Sequence, residues 1–292
     1  MTTQPQPGVP LVSGAAGKGF SSFTRRHPLP VFYLLAFFIS WGGMAAILRA
    51  GHLTVTWAAA ALPAGPAAAG VSLTALLYGR TGLRELGTRL RQWRVGPRWY
   101  LFALLTGPIV MATTAALVSM MFPGYYAGTT TLEGTAAIIL GGLLVGLAVG
   151  ILEELGWTGF ALPRLRRRYG ILLTGLIMAL LWGTWHYPMF ADSTDPSGAI
   201  PNAVIVAVFL FAWLPPFRVL MVWVYDRTGS LPLAMLMHAP LSAGAFINSF
   251  MASGTATGMA VLMPALLWGA AFWTIVAVVF LVKARRLRDA NP

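Results

Sequence analysis

Apolar residues are not scattered along this chain but gathered into eight long runs. They lie near 31–49, 54–78, 100–121, 135–155, 171–190, 203–225, 231–250 and 258–282. Each has roughly the 17–25 residues that a helix needs to cross about 30 Å of hydrocarbon. Short polar segments separate them, and no internal repeat stands out. The pattern predicts an all-α polytopic membrane protein of about eight transmembrane helices. It divides into a flexible tail over 1–30, one transmembrane domain over 31–283 and a basic tail over 284–292. The first run follows Arg25 and Arg26 but is too long for a signal-peptide core, and no small-residue cleavage site follows it, so it reads as a retained span. Pro63, Pro66, Pro215 and Pro216 fall inside or beside runs and are expected to kink them.

Charge orients the bundle. The sequence holds 20 Lys and Arg against 8 Asp and Glu, a net charge of +12, yet only 10% of residues are charged and 57% are hydrophobic. In a soluble protein such a balance would suggest nucleic acid. Here the basic residues cluster between the runs and act as topology signals, so no nucleic-acid partner is expected. With both termini in the cytoplasm, every Lys and Arg except Arg49 and Arg218 falls on the cytoplasmic side. The outer loops carry Glu133, Asp192 and Asp195. That asymmetry is the one that sets orientation in membranes. Residues 80–99 are too charged to span. Leu83, Leu86, Leu90 and Trp93 recur at spacings of three and four, which suits a helix on the inner leaflet anchored by Trp93 and Trp99. Leu162 to Tyr169 reads as a shorter version. Cysteine is absent, which removes disulfides, thiol nucleophiles and thiolate metal sites.

Against this apolar background a few ionisable residues stand inside the runs, where a charge costs several kcal/mol and usually carries function. Glu153 and Glu154 close the fourth run. His186 lies in the fifth, within Trp182-Gly183-Thr184-Trp185-His186-Tyr187-Pro188, and His238 lies in the seventh. His27 and His52 fall in the tail and the first outer loop, where both are solvated. Helical spacing puts Glu153 on a face with Trp157, Glu154 with Thr158, and His186 one turn beyond Trp182. Three helices could therefore bring Glu, His and His around one polar cavity. A carboxylate in a dry site can act as general base toward water, and a histidine can orient that water or stabilise an oxyanion. The same trio, Glu153, His186 and His238, is also a conceivable zinc ligand set, though without the H-E-x-x-H spacing of the zinc peptidases. No G-x-S-x-G elbow is present. Water activation fits the inventory better than a covalent nucleophile.

Three stretches together resemble the CPBP family, the CAAX proteases and bacteriocin-processing membrane enzymes also called the Abi family. The first family motif, E-E-x-x-W-R-G, appears as Glu153-Glu154-Leu155-Gly156-Trp157-Thr158-Gly159. The tryptophan-rich second motif appears as Trp182 to Pro188 with His186 in the histidine place. The third begins at His238, after Arg227-Thr228-Gly229-Ser230-Leu231. Order and spacing agree over roughly 135–250. The resemblance implies a membrane-embedded endopeptidase cutting near the cytoplasmic face, with the lipid bilayer and a peptide or membrane-protein substrate as partners. In eukaryotic relatives that substrate is a prenylated C-a-a-X tail. It further implies Glu153 as the water-activating base, Glu154 beside it, and His186 and His238 positioning water or carbonyl or binding a divalent metal such as zinc.

Two positions depart from the family pattern. Thr158 stands where the family has arginine, and Ser242 stands where it has Asn or Asp, four residues after His238. Arg218, the one arginine inside a run, is either the replacement charge or an end-of-span residue snorkelling to the headgroups. A non-catalytic partner or immunity protein and a small transporter with a Glu/His proton relay are the rival readings, the latter lacking the internal repeat many transporters show. At about 1.5 Å per residue, His186 lies about 24 Å along its helix from Gly170 and His238 only about 10 Å from Leu231, so their meeting requires an offset between the two helices. The sequence suggests a bacterial cytoplasmic membrane and is silent on oligomeric state.

Overall fold

The structure, a computed structural model, describes residues 20–51, 61–126, 131–252 and 256–289; His52 lies outside them. The described chain is all-helical. The elements run α1 (Phe20–Arg26), α2 (Pro28–Arg49), α3 (Ala64–Leu90), α4 (Pro97–Met121), α5 (Leu132–Gly156), a π-helical turn (Trp157–Ala161), α6 (Leu162–Arg166), α7 (Ile171–Trp185), α8 (Tyr187–Phe190), α9 (Asn202–Phe211), α10 (Leu214–Thr228), α11 (Leu231–Met251) and α12 (Met259–Asp289).

Local chemistry explains many of the boundaries. Proline opens α2, α4 and α11 within their first two positions, where its missing N–H removes no helical bond. The Thr131 and Ser230 hydroxyls cap α5 and α11, accepting from Gly134 N at 3.0 Å and Leu233 N at 3.2 Å. Gly229, at φ +62°, ends α10 in the left-handed conformation. Pro215 and Pro216 sit in the first turn of α10, just after the chain breaks at Ala212 and Trp213, and Pro63 and Pro66 likewise occupy the start of α3.

Six helical stretches are long and apolar enough to cross a membrane: Pro28–Arg49, Pro97–Met121, Leu132–Arg166, Asn202–Thr228, Leu231–Met251 and Met259–Arg285. The protein is thus an all-α polytopic membrane protein, but the expected eight full spans become six among the described residues. The run at 171–190 breaks at His186, which leaves the 15 residues of α7. At about 1.5 Å per residue that is near 22 Å, short of a bilayer core. The run at 54–78 begins outside the described residues and meets a kink at Gly79 (φ 59°, ψ −147°). Beyond the kink α3 continues only to Leu90, so the surface helix expected over 80–99 is helical for half its length. Trp99 belongs to α4, its ring centroid 5.0 Å from that of Trp223. Leu86 is buried and Arg89 donates to Gly159 O at 3.0 Å, which docks this segment on protein. Leu162 and Leu165 of α6 are buried in the same way. Part of the expected N-terminal tail is ordered too, since α1 is helical and Thr24 is fully buried.

One helix pair sets the register of the whole centre. A Cβ on Gly142 would lie 2.7 Å from Ile247 Cγ1, one on Gly146 2.3 Å from Ala239 O, and one on Gly150 2.7 Å from Met235 O. Glycines spaced by four on α5 therefore let its backbone touch that of α11, the close-approach packing typical of membrane helices. Past Gly150 the next turn carries Glu153 and Glu154, and next to Ala239 on the facing helix stands His238. Gly156 is similarly pressed against α3, where a Cβ would lie 2.2 Å from Pro66 O.

Candidate active site

Glu153 and Glu154 end α5 at the point where it widens into the π-helical turn. Both are buried, at 2% and 0% exposure. Helical side chains lean toward the N-terminus, so the residue four further on comes to lie over each carboxylate. Trp157 Nε1 donates to Glu153 Oε2 at 3.0 Å, and the Thr158 hydroxyl donates to Glu154 Oε2. π-Turns are concentrated at functional sites, and this one carries the second half of the first motif.

The two carboxylates then part company. Glu154 meets Arg218 in a two-pronged ion pair, with Nη1 to Oε2 and Nη2 to Oε1, both at 3.0 Å. His238 Nδ1 lies 2.8 Å from the same Oε1. Arg218 is fully buried and does not snorkel. It brings from α10 the positive charge that the family motif places at the position of Thr158. Glu153, in contrast, has no cationic partner among the described residues. Its Oε2 accepts a second indole N–H, from Trp182 Nε1 at 2.8 Å. Oε1 takes part in no hydrogen bond among the described residues.

Trp182 joins the two halves. Its N–H holds Glu153, its ring carries the Arg218 guanidinium 4.1 Å from the centroid, and the His238 and His186 rings stand edge-on at 5.1 and 5.2 Å. The two histidines therefore do not need equal heights in the bundle, because an indole one turn before His186 reaches between them. His186 closes α7, its Nδ1 2.8 Å from Trp182 O, and lies within electrostatic reach of Glu153, His238 and Arg218.

Each histidine Nδ1 faces an atom that only accepts, a carboxylate for His238 and a carbonyl for His186. Nδ1 must then carry the proton, leaving Nε2 as the free position of each ring. Rings prepared in this way also suit a metal. Among the described residues, however, no three His, Asp or Glu side chains converge as a metal-holding group. Glu153, His186 and His238 therefore do not form a closed zinc set in this arrangement. Ser242 is half-buried on α11 and shares in none of the site's hydrogen bonds among the described residues. Sequence reasoning undervalues Arg218, although an arginine inside an apolar run is signal enough. It also assigns no site residue to α2, where the Tyr33 ring lies against Trp157 at 5.8 Å and 26°.

Fold and site together define a polytopic membrane protein with a buried carboxylate–arginine–histidine centre. Residues 135–244 match the family model described as Type II CAAX prenyl endopeptidase Rce1-like, so over that segment the chain is similar to the CAAX protease, or CPBP, family. CAAX prenyl protease 2 of the archaeon Methanococcus maripaludis is 24% identical over 98 residues, which cover 33% of this chain and 36% of that protein. The match thus spans about a third of the relative's length. Glu153, Glu154, His186, Arg218, His238 and Ser242 all lie within the family segment; α1 to α4 lie outside it.

Proposed function

We propose that the chain is an intramembrane endopeptidase of the CAAX-protease type, which hydrolyses a peptide bond with water activated at Glu153. The observation that carries this reading is the unequal treatment of two adjacent carboxylates. Glu154 is fully engaged by Arg218, Thr158 and His238, so it holds a charge and orients a ring. Glu153 has one oxygen fixed by two indoles and the other uncommitted, as a base needs. Water held at Glu153 Oε1 gives up a proton to the carboxylate as its oxygen bonds to the substrate carbonyl carbon. The tetrahedral oxyanion then collapses, the C–N bond breaks, and the departing amine takes the proton from Glu153. His238, held by Glu154, and His186, held by the Trp182 carbonyl, direct their Nε2 positions to the water or the carbonyl oxygen.

The arginine-bearing segments meet at one end of the bundle: Arg89 bonds to Gly159 O, and Arg166 pairs with Asp226 at 2.7 Å. By the positive-inside rule that end is cytoplasmic, and the substrate bond is cut on that side. A peptide or membrane-protein segment is the substrate class. The relative's name makes a prenylated C-terminus the first to try.

The test compares parent, Glu153→Gln and Glu154→Gln on a library of prenylated and plain peptides, with zinc measured in each preparation. Glu153→Gln is expected to abolish cleavage at an unchanged melting temperature. Glu154→Gln is expected to abolish cleavage and lower the melting temperature, since it strips the buried Arg218 of its counter-charge. Cleavage that survives in Glu153→Gln sinks the assignment. A folded parent that cuts nothing favours the non-catalytic reading. Activity that tracks zinc content would move water activation from carboxylate to metal.

A further inference from the structure

Six buried side-chain polar atoms have no hydrogen-bond partner among the described residues, and three of the six lie in the neighbourhood of Glu153, namely Tyr33 Oη, Trp185 Nε1 and Arg218 Nε. Two of them, the indole and guanidinium N–H groups, can only donate, and a phenol beside a guanidinium is best placed to donate as well. Buried donors left unpaired cost free energy, and native proteins rarely keep them without a use. These three share one neighbourhood. The Tyr33 ring stacks on Trp157, whose N–H fixes Glu153, and its hydroxyl lies within electrostatic reach of Arg218. Trp185 packs edge-on against the same Trp157 at 5.7 Å and against His186 at 4.7 Å. Donors without acceptors, beside a general base and a fixed guanidinium, suit a group that is rich in lone pairs and gains negative charge.

We propose that Tyr33, from α2 and outside the family segment, is a catalytic residue that donates its hydroxyl hydrogen bond to the substrate carbonyl oxygen as it becomes an oxyanion. This rests on the peptidase reading above. Tyr33 keeps its proton throughout. When water adds at the carbonyl carbon, the C=O electron pair moves onto oxygen, and the phenol O–H and Arg218 Nε–H face the charge that develops there. Such donors act on the transition state far more than on bound substrate. The helix that carries Tyr33 is firmly anchored: Trp41 Nε1 donates to Trp185 O at 2.9 Å, and the Phe32 ring stacks on Phe160 at 5.1 Å.

The decisive variant is Tyr33→Phe, which keeps the ring on Trp157 and removes only the hydroxyl. Two readouts are taken on purified full-length protein in detergent. One is cleavage of a farnesylated C-a-a-X peptide. The other, independent of turnover, is binding of the same peptide with a tetrahedral phosphonate at the scissile position, set against the plain peptide amide. Expected are an unchanged melting temperature, an unchanged KM, a kcat lower by on the order of 100-fold, and phosphonate affinity lower by at least about tenfold with amide affinity unaltered. A kcat and a phosphonate affinity within twofold of the parent overturn the role of Tyr33 and leave the peptidase reading standing. A parent that cuts nothing but binds the phosphonate more tightly than the amide, in a Tyr33-dependent way, keeps the donor site and removes the peptidase. A parent that shows no preference for the phosphonate overturns the oxyanion role whatever its activity.

Discussion

An arginine with no exposed surface is tolerable only as half of a pair, and in this protein the pair lies within the candidate site. Arg218 and Glu154 are each 0% exposed and meet through two parallel hydrogen bonds, the geometry that a guanidinium offers and an ammonium does not. Removing one member leaves the other charged and unpaired, a loss of about 3–5 kcal/mol in buried pairs. Arg218→Ala is therefore expected to lower the melting temperature sharply and abolish cleavage, and Arg218→Lys to recover part of the stability and little activity. The position of Thr158 supplies a sharper test. Its hydroxyl already touches Glu154, so a guanidinium introduced there lies beside the same carboxylate, in the space that Arg218→Ala vacates. The double variant Thr158→Arg with Arg218→Ala is expected to melt higher and cut faster than Arg218→Ala alone. Equal melting temperatures and rates for the two would mean that the charge cannot be moved between α10 and the π-turn.

At the scale of elements, what the sequence shows depends on whether the signal lies in a run or in a contact. Wherever they are described, the apolar runs coincide with helices, and the three motifs do converge, because hydrophobic periodicity and motif spacing are properties of the string. The contact between α5 and α11 is harder to see: Gly142, Gly146 and Gly150 look like three of the 32 glycines until the facing carbonyls are known. The break at His186 is equally hidden. Only Pro188, two residues on, marks it in the run, yet it shortens α7 and ends the helix one turn past Trp182. The Asp195 loop reads in the sequence only as an outer acidic segment, whereas its carboxylate ties two connections together. Oδ2 accepts from the Ser197 hydroxyl at 2.7 Å and from Ile200 N at 3.1 Å, and Oδ1 accepts from Gly258 N, just before α12, at 2.9 Å. The Ser197 hydroxyl and then the Gly258 amide hold the carboxyl down at about 2, below its usual 3.8. A depressed carboxyl pKa stabilises the fold above the unfolded value, and that contribution fades as pH falls toward the folded one. Asp195→Asn is thus expected to melt below the parent near neutral pH. The gap should narrow between about pH 4 and pH 2 as the parent's own carboxyl gains its proton. A gap that stays constant across that window would show the clasp to be held by shape and not by charge.

For the whole molecule, orientation decides which compartment meets the site. Arg89, Arg164, Arg166 and Arg227 come from segments far apart in sequence, yet Arg89 reaches Gly159 and Tyr225, and Arg166 reaches Asp226, so they gather at one end of the bundle. Asp195 and the start of α12 are tied together at connections on the other side of the spans α9–α10 and α12. Six full spans with two shorter helical segments leave the crossing number open to a direct check, since a short helix such as α7 can be housed by neighbours that span fully or by local thinning of the bilayer. If α3 and α7 both cross, as the positive-inside rule expects, reporter fusions after residue 94 and after residue 168 read cytoplasmic and one after residue 195 reads external. If α7 instead enters and leaves by the same face, the fusions after 168 and 195 read alike. The two outcomes place the substrate differently. In the first, a substrate entering from the arginine-rich face arrives at the end of the bundle where Arg89 is docked on Gly159. In the second, the loop holding Asp195 opens on that same face.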